Sequence, residues 1–106
     1  MDIEKLLKQL KQELVTLLGD KYKEFKPEIQ KDITAFLEGS KEKLERWTLL
    51  LASSSITEEE FSWLLKSQQD LIALKALQGA GLSKIKINNI KNAIIQTVFK
   101  TVLLSI

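Results

Sequence analysis

The side chains best suited to chemistry in this sequence are serines, lysines and carboxylates, because the chain contains no histidine and no cysteine. Without those two residue types, Ser-His and cysteine nucleophiles, thiolate zinc sites and the Glu-x-x-His motif of di-metal bundles are excluded. A serine–lysine pair can attack acyl groups, and Ser40 and Lys43 have helical spacing. Nothing selects this pair over others, so we predict a non-enzymatic protein with no catalytic residue, metal ligand or cofactor.

The carboxylates alone could still serve as acids and bases or bind calcium. They lie mostly between the apolar positions of a helical pattern, and no calcium-loop spacing is present. We therefore expect them to form a solvated face, with the members Glu4, Glu13, Glu24, Glu28, Asp32, Glu38 and Glu45.

Positive charge is concentrated at the end of the chain. The formal net charge is only +2, yet residues 82–106 carry four lysines and no acid. These lysines either solvate one helix or form a basic surface for an anionic partner. Arginine occurs once and no helix-turn-helix spacing is present, so nucleic acid is not the expected partner.

Several apolar residues fall beside the stripes expected to form the core. Together with the C-terminal lysines they define a candidate interaction surface, which consists of Trp63, Lys84, Lys86, Lys91, Lys100, Leu103 and Leu104. The favoured hypothesis is a protein–protein interaction or structural module, whose partner is another protein or a second copy in a homodimer. The alternative is peripheral binding to a membrane surface through the basic amphipathic C-terminal helix, residues 82–106.

The elements that position these residues are predicted to be helices. Apolar residues recur at steps of three and four along the 106 residues, which have one proline and four glycines. We predict one all-α domain, an antiparallel up-down four-helix bundle with helices at about 2–24, 27–54, 57–78 and 82–105. The first turn is placed at Phe25–Pro27, with Gly19-Asp20 as the alternative, and the second helix could be kinked or broken near Gly39.

The turn between the second and third helices has the clearest local signature. Thr57 and Glu60 have capping-box spacing, and Ile56 and Phe61 occupy hydrophobic-staple positions. Two glycines in Gly79-Ala80-Gly81 then predict the end of the third helix. Its buried side is expected to contain Phe61, Leu64, Leu65, Leu71, Ile72 and Leu77.

No targeting or membrane-spanning segment is expected. The acidic start Met-Asp-Ile-Glu is unlike a signal peptide, and the most apolar stretch, residues 93–106, is shorter than the roughly 20 residues needed for a span. The absence of cysteine suits a reducing compartment, so we expect a cytoplasmic protein.

Overall fold

A computed structural model describes residues 2–69 and 72–106, and within them the chain is all-α, with no strand. The described part contains five α-helices and one short 3₁₀ helix, where four helices of nearly equal length were predicted. In chain order they are α1 (Ile3–Lys21), the 3₁₀ helix (Lys23–Phe25), α2 (Lys26–Ala52), α3 (Glu58–Ser67), α4 (Lys75–Gly79) and α5 (Lys84–Ser105).

The first turn lies close to Phe25–Pro27 and not at Gly19. Helix α1 ends at Lys21, and α2 begins at Lys26 with Pro27 in its first turn, where a missing N–H costs nothing. Gly19 is buried inside α1, and a Cβ built on it would lie 3.2 Å from Cε of Lys26. The small residue therefore makes room for the lysine stem at the start of α2.

Helix α2 continues without a break through Gly39, where a kink had been considered. Gly39 is exposed, and a Cβ added there would meet nothing within 4 Å. The packing of the flanking apolar residues is thus sufficient to hold a helix across a residue with poor helical propensity.

Two glycine-to-alanine changes should move the free energy of unfolding in opposite directions. We expect Gly39→Ala to stabilise the protein by about 0.5–1 kcal/mol, because alanine loses less backbone entropy in a helix. Gly81, with φ +93°, takes the left-handed conformation, so Gly81→Ala should destabilise by about 1 kcal/mol or more. Urea denaturation of the two variants measures both changes in the free energy of unfolding. Changes in the same direction would contradict the prediction.

The turn between α2 and α3 contains the predicted capping box. The Thr57 hydroxyl accepts from the Glu60 N–H at 3.1 Å, and the Glu60 carboxylate accepts from the Thr57 N–H at 3.0 Å. Before it, Ser54 adopts φ 60° and the Ser55 N–H donates back to the Leu50 carbonyl at 2.8 Å, which closes the end of α2. Both helix ends at this turn are thus capped.

Removal of this cap should weaken the fold measurably. We expect Thr57→Ala to lower the free energy of unfolding by about 0.5–2 kcal/mol, because the Glu60 N–H loses its partner. Thr16→Ala, the same chemical change at an exposed position inside α1, is the control and should be neutral. Chemical denaturation midpoints test both, and an unshifted midpoint for Thr57→Ala would show that the cap contributes nothing.

The continuous third helix predicted at 57–78 is wrong. Helix α3 ends at Ser67, and α4 begins only at Lys75, after Leu74 in a left-handed conformation at φ 45°. The reason lies on α2: the buried Asp32 carboxylate accepts from the Ala76 and Leu77 N–H groups at 2.9 and 2.8 Å. Asp32 therefore holds the start of α4, and the prediction that it lies on a solvated face is wrong. Leu71, which was predicted on the buried side of the third helix, lies outside the described residues.

The segment before α5 ends α4 as the glycines indicated. The Leu82 N–H donates to the Leu77 carbonyl and the Gly81 N–H to the Gln78 carbonyl, the paired bonds of a Schellman motif. Ser83 then caps α5, since its hydroxyl accepts from the Lys86 N–H at 3.3 Å. The turn predicted at residues 79–81 is confirmed.

The core lies between α1, α2 and α5, with α3 packed on α5 and α4 packed on α2. The start of α1 is tied to the middle of α2 by a Glu4–Lys41 ion pair, and Gly19 near the end of α1 lies against Lys26 at the start of α2, so these helices are antiparallel. Side chains that are less than 2% exposed fill the centre, and the largest are Phe61, Leu10, Leu14, Leu18, Ile29, Ile33, Leu44, Ile72, Leu77, Ile90, Ile94 and Val98.

Candidate interaction surface

Some large apolar side chains of the described residues remain outside this core. Trp63 is the largest of them and is 68% exposed. Trp47, in contrast, is only partly exposed and packs against the core. The other exposed members are Leu17, Leu49, Ile85, Leu104 and Ile106.

Trp63 is exposed because of its angular position on α3. Phe61, two residues earlier, is fully buried and stacks on Phe99 of α5, with ring centroids 5.9 Å apart. Two residues turn a helix by about 200°, so Trp63 projects from the opposite side. Glu59 and Lys66, each within about one turn, are exposed beside it. The indole therefore lies in a polar surround that includes a carboxylate.

Two contacts set the register of α3 against α5. Phe61 meets Phe99, and the Gln69 Nε2 donates to the Asn92 Oδ1 at 3.0 Å on the surface. Residue numbers rise along α3 as they fall along α5, so the helices are antiparallel and Glu59 is level with Lys100 to within one turn. The outer sides of the two helices adjoin at this hydrogen bond. We call their surface the α3–α5 flank: Glu59, Trp63, Lys66, Ile85, Gln96, Lys100, Leu103 and Leu104.

The lysines of α5 do not form one patch. Lys84, Lys86 and Lys100 are exposed, whereas Lys91 is half-buried. At about 100° per residue, Lys86 and Lys100 lie on one side of α5, and Lys84 and Lys91 lie on the other. The structure thus joins Lys100 with Leu103 and Leu104 on the flank and separates Lys84 and Lys91 from them.

Little of the charge on α5 is neutralised within the described residues. Their one ion pair is Lys41–Glu4, where the hydrogen bond and then the charge of Glu4 raise the pKa of the Lys41 ammonium. No described carboxylate forms an ion pair with Lys86 or Lys100. The flank therefore combines apolar side chains with a lysine of α5, Lys100, and a carboxylate of α3, Glu59.

The C-terminal turn of α5 is covered on one side only. Val102 is fully buried, and the Thr101 hydroxyl donates to the Glu13 carboxylate of α1, an acid that had been expected only on a solvated face. Leu103 is half-buried and Leu104 is 78% exposed. Helix α1 thus shields the inner side of this turn and leaves Leu104 on the flank.

The residues considered for chemistry are not arranged for it. The Lys43 ammonium donates to the Gln68 Oε1 at 3.0 Å, not to Ser40. Ser40 and Lys43 line a void between α2, α3 and α5. Its volume is only about 20 Å³, which holds roughly one water molecule. Within residues 2–69 and 72–106, no group of three carboxylates could hold a metal ion, and no helix is long and apolar enough to cross a membrane.

Four members of the flank were not identified from the sequence. Lys66 and Gln96 are absent from the predicted surface, and so are Glu59 and Ile85. The helical phase relative to Phe61 and to Ile87, both buried, could have identified them, since Glu59 and Ile85 lie on the opposite sides of their helices.

No protein-family model, curated protein or solved structure matches this chain.

Proposed function

We propose that this chain is a non-enzymatic helical module that binds another protein through the α3–α5 flank. The exposure of Trp63 is the observation that carries the proposal. An indole exposed to water leaves a large apolar surface unburied, which is unfavourable in free energy. Tryptophan is also enriched among the residues that dominate binding energy at protein interfaces. Ile85 and Leu104, 75% and 78% exposed, are two further exposed apolar side chains, near the two ends of α5.

A protein partner suits this flank better than a lipid surface. The apolar side of α5 that would enter a membrane packs in the core, where Ile87, Ile90 and Ile94 are at most 5% exposed. Glu59 on the flank would also be repelled by anionic lipid headgroups. The absence of histidine and cysteine supports the non-enzymatic part of the proposal.

We further propose that the helices follow the up-and-down path of a four-helix bundle. In this arrangement α3 and α4 together occupy the place of the third helix. The packing of α1 on α2, α1 on α5, α2 on α4 and α3 on α5 supports this path.

Photo-crosslinking tests this proposal by capturing the protein that binds the flank. A benzophenone amino acid replaces Trp63 in the full chain, and a matched variant carries it at Leu17, a 49% exposed residue of α1. We expect a protein adduct from position 63 in cells that make the chain, and little from position 17. Lipid adducts from position 63, or salt-sensitive sedimentation of the chain with anionic vesicles, would instead support the membrane alternative and overturn the proposal.

A further inference from the structure

The charge pattern of the α3–α5 flank is self-complementary. Helix α3 begins with Glu58, Glu59 and Glu60, whereas α5 carries lysines and no acid. The two helices pack side by side, so the acidic Glu59 of α3 and the basic Lys100 of α5 lie on neighbouring helices of one molecule. A surface with this pattern can bind a rotated copy of itself, as in the isologous interface of a two-fold dimer.

We propose that the partner at the α3–α5 flank is a second copy of this chain, an inference that rests on the proposed function. The two-fold axis runs parallel to the helices and places α3 of each copy on α5 of the other. An axis across the helices would put α3 on α3 and oppose the glutamates. The charges therefore select one of the two orientations.

The register makes this orientation specific at the level of side chains. Rotation about an axis parallel to the helices keeps each residue at its own height along that axis. Because Glu59 is level with Lys100 within its own chain, it also lies level with Lys100 of the second copy. Trp63, one turn further along, lies where that same ammonium or its stem can cover the indole.

The dimensions suit a stable dimer. The molecule measures 42 × 24 × 20 Å, so the side that contains the flank offers at most about 800 Å², the area that each partner contributes to a standard interface. Trp63 and Leu104 would be buried there twice, because an isologous interface uses each residue in both copies.

The molecular mass in solution is the first test. We expect light scattering at micromolar concentration to give twice the 12.1 kDa chain mass, and Trp63→Ala to give the monomer mass with an unchanged helical circular dichroism spectrum. A wild-type chain that stays monomeric up to about millimolar concentration, the weak end of specific affinities, would overturn the inference.

Charge reversal then tests the proposed pairing. Glu59→Lys and Lys100→Glu should each raise the dissociation constant by about tenfold or more, because each homodimer then opposes like charges twice. An equimolar mixture of the two variants should recover the dimer, since both pairs of the heterodimer are again opposite in sign. Lys31→Glu, an exposed position on α2, is the control and should leave the dimer intact.

The outcomes separate this inference from the proposed function. A dimer indifferent to both reversals, or a mixture that fails to recover, would overturn the α3-on-α5 pairing. A monomeric chain that still forms protein adducts from position 63 would overturn the second copy as partner and leave the interaction module standing. A monomer without such adducts would overturn both.

Discussion

Truncation of Phe61 to alanine should destabilise the protein by about 3–5 kcal/mol, the largest effect that we expect from a single substitution. The ring is 0% exposed and stacks on Phe99 at an interplanar angle of 25°, so its loss opens a cavity between α3 and α5. A domain of this size has a total stability of about 5–15 kcal/mol, so the variant should lose a large part of it. Urea unfolding followed by circular dichroism measures the change.

Leu49→Ala is the control for this experiment. Leu49 lies on α2 and is 53% exposed, so its truncation should change the free energy of unfolding by no more than about 0.5 kcal/mol. Phe61→Leu should fall between the two because it keeps most of the buried volume. Similar midpoints for Phe61→Ala and Leu49→Ala would mean that α3 is not packed on α5 as described.

Replacement of Asp32 by alanine should cost about 2–4 kcal/mol. Its carboxylate is 7% exposed and accepts two backbone N–H groups at the start of α4, and bonds to charged groups are stronger than neutral ones. Without Asp32, these donors lose their partner in a place with little access to water. Hydrogen exchange should report faster exchange at the amides of Ala76 and Leu77, in addition to a lower denaturation midpoint.

Asp32→Asn and Glu38→Ala are the matched variants. The carboxamide oxygen of asparagine can still accept one of the two N–H groups, so Asp32→Asn should lose less stability than Asp32→Ala. Glu38 is an exposed acid on the same helix, and its removal should be nearly neutral. If Asp32→Ala and Glu38→Ala unfold at the same urea concentration, Asp32 does not hold α4.

The turns that were predicted well are those whose signals are local. Thr57 and Glu60 satisfy each other's backbone N–H groups across three residues, and Gly81 supplies a positive φ within one turn. Such interactions depend on neighbours in the sequence and not on the position of other helices. The same holds for Pro27, which tolerates only the first turn of a helix.

The third helix was predicted wrongly because its break is not marked by glycine or proline. Five polar residues, 66–70, separate Leu65 from the next apolar position, but no glycine or proline occurs before Gly79. Leu74 adopts a left-handed conformation that costs a leucine roughly 1–2 kcal/mol. Its burial at 3% exposure and the hydrogen bonds that the Ala76 and Leu77 N–H groups donate to Asp32, more than 40 residues away, offset this cost.

The candidate surface was also predicted in part from the sequence and in part only from tertiary contacts. The sequence identified Trp63, Lys100, Leu103 and Leu104 as residues outside the core stripes. Only the tertiary contacts, Phe61 with Phe99 and Gln69 with Asn92, determined which helix lies next to α3 and brought Glu59 level with Lys100. A helical period assigns a residue to a side of its own helix, and it says nothing about which helix adjoins that side.

The amino-acid sequence by itself determined the all-α class, the ends of α2 and the cap of α3, because helical periodicity and capping act over a few residues. Tertiary structure decided where the third helix stops, which acid is buried and which charges share a surface. These depend on contacts between residues far apart in the chain, such as Asp32 with Leu77 and Gln69 with Asn92. Their free energy exists only once the helices have packed, so no local pattern in the sequence reports it.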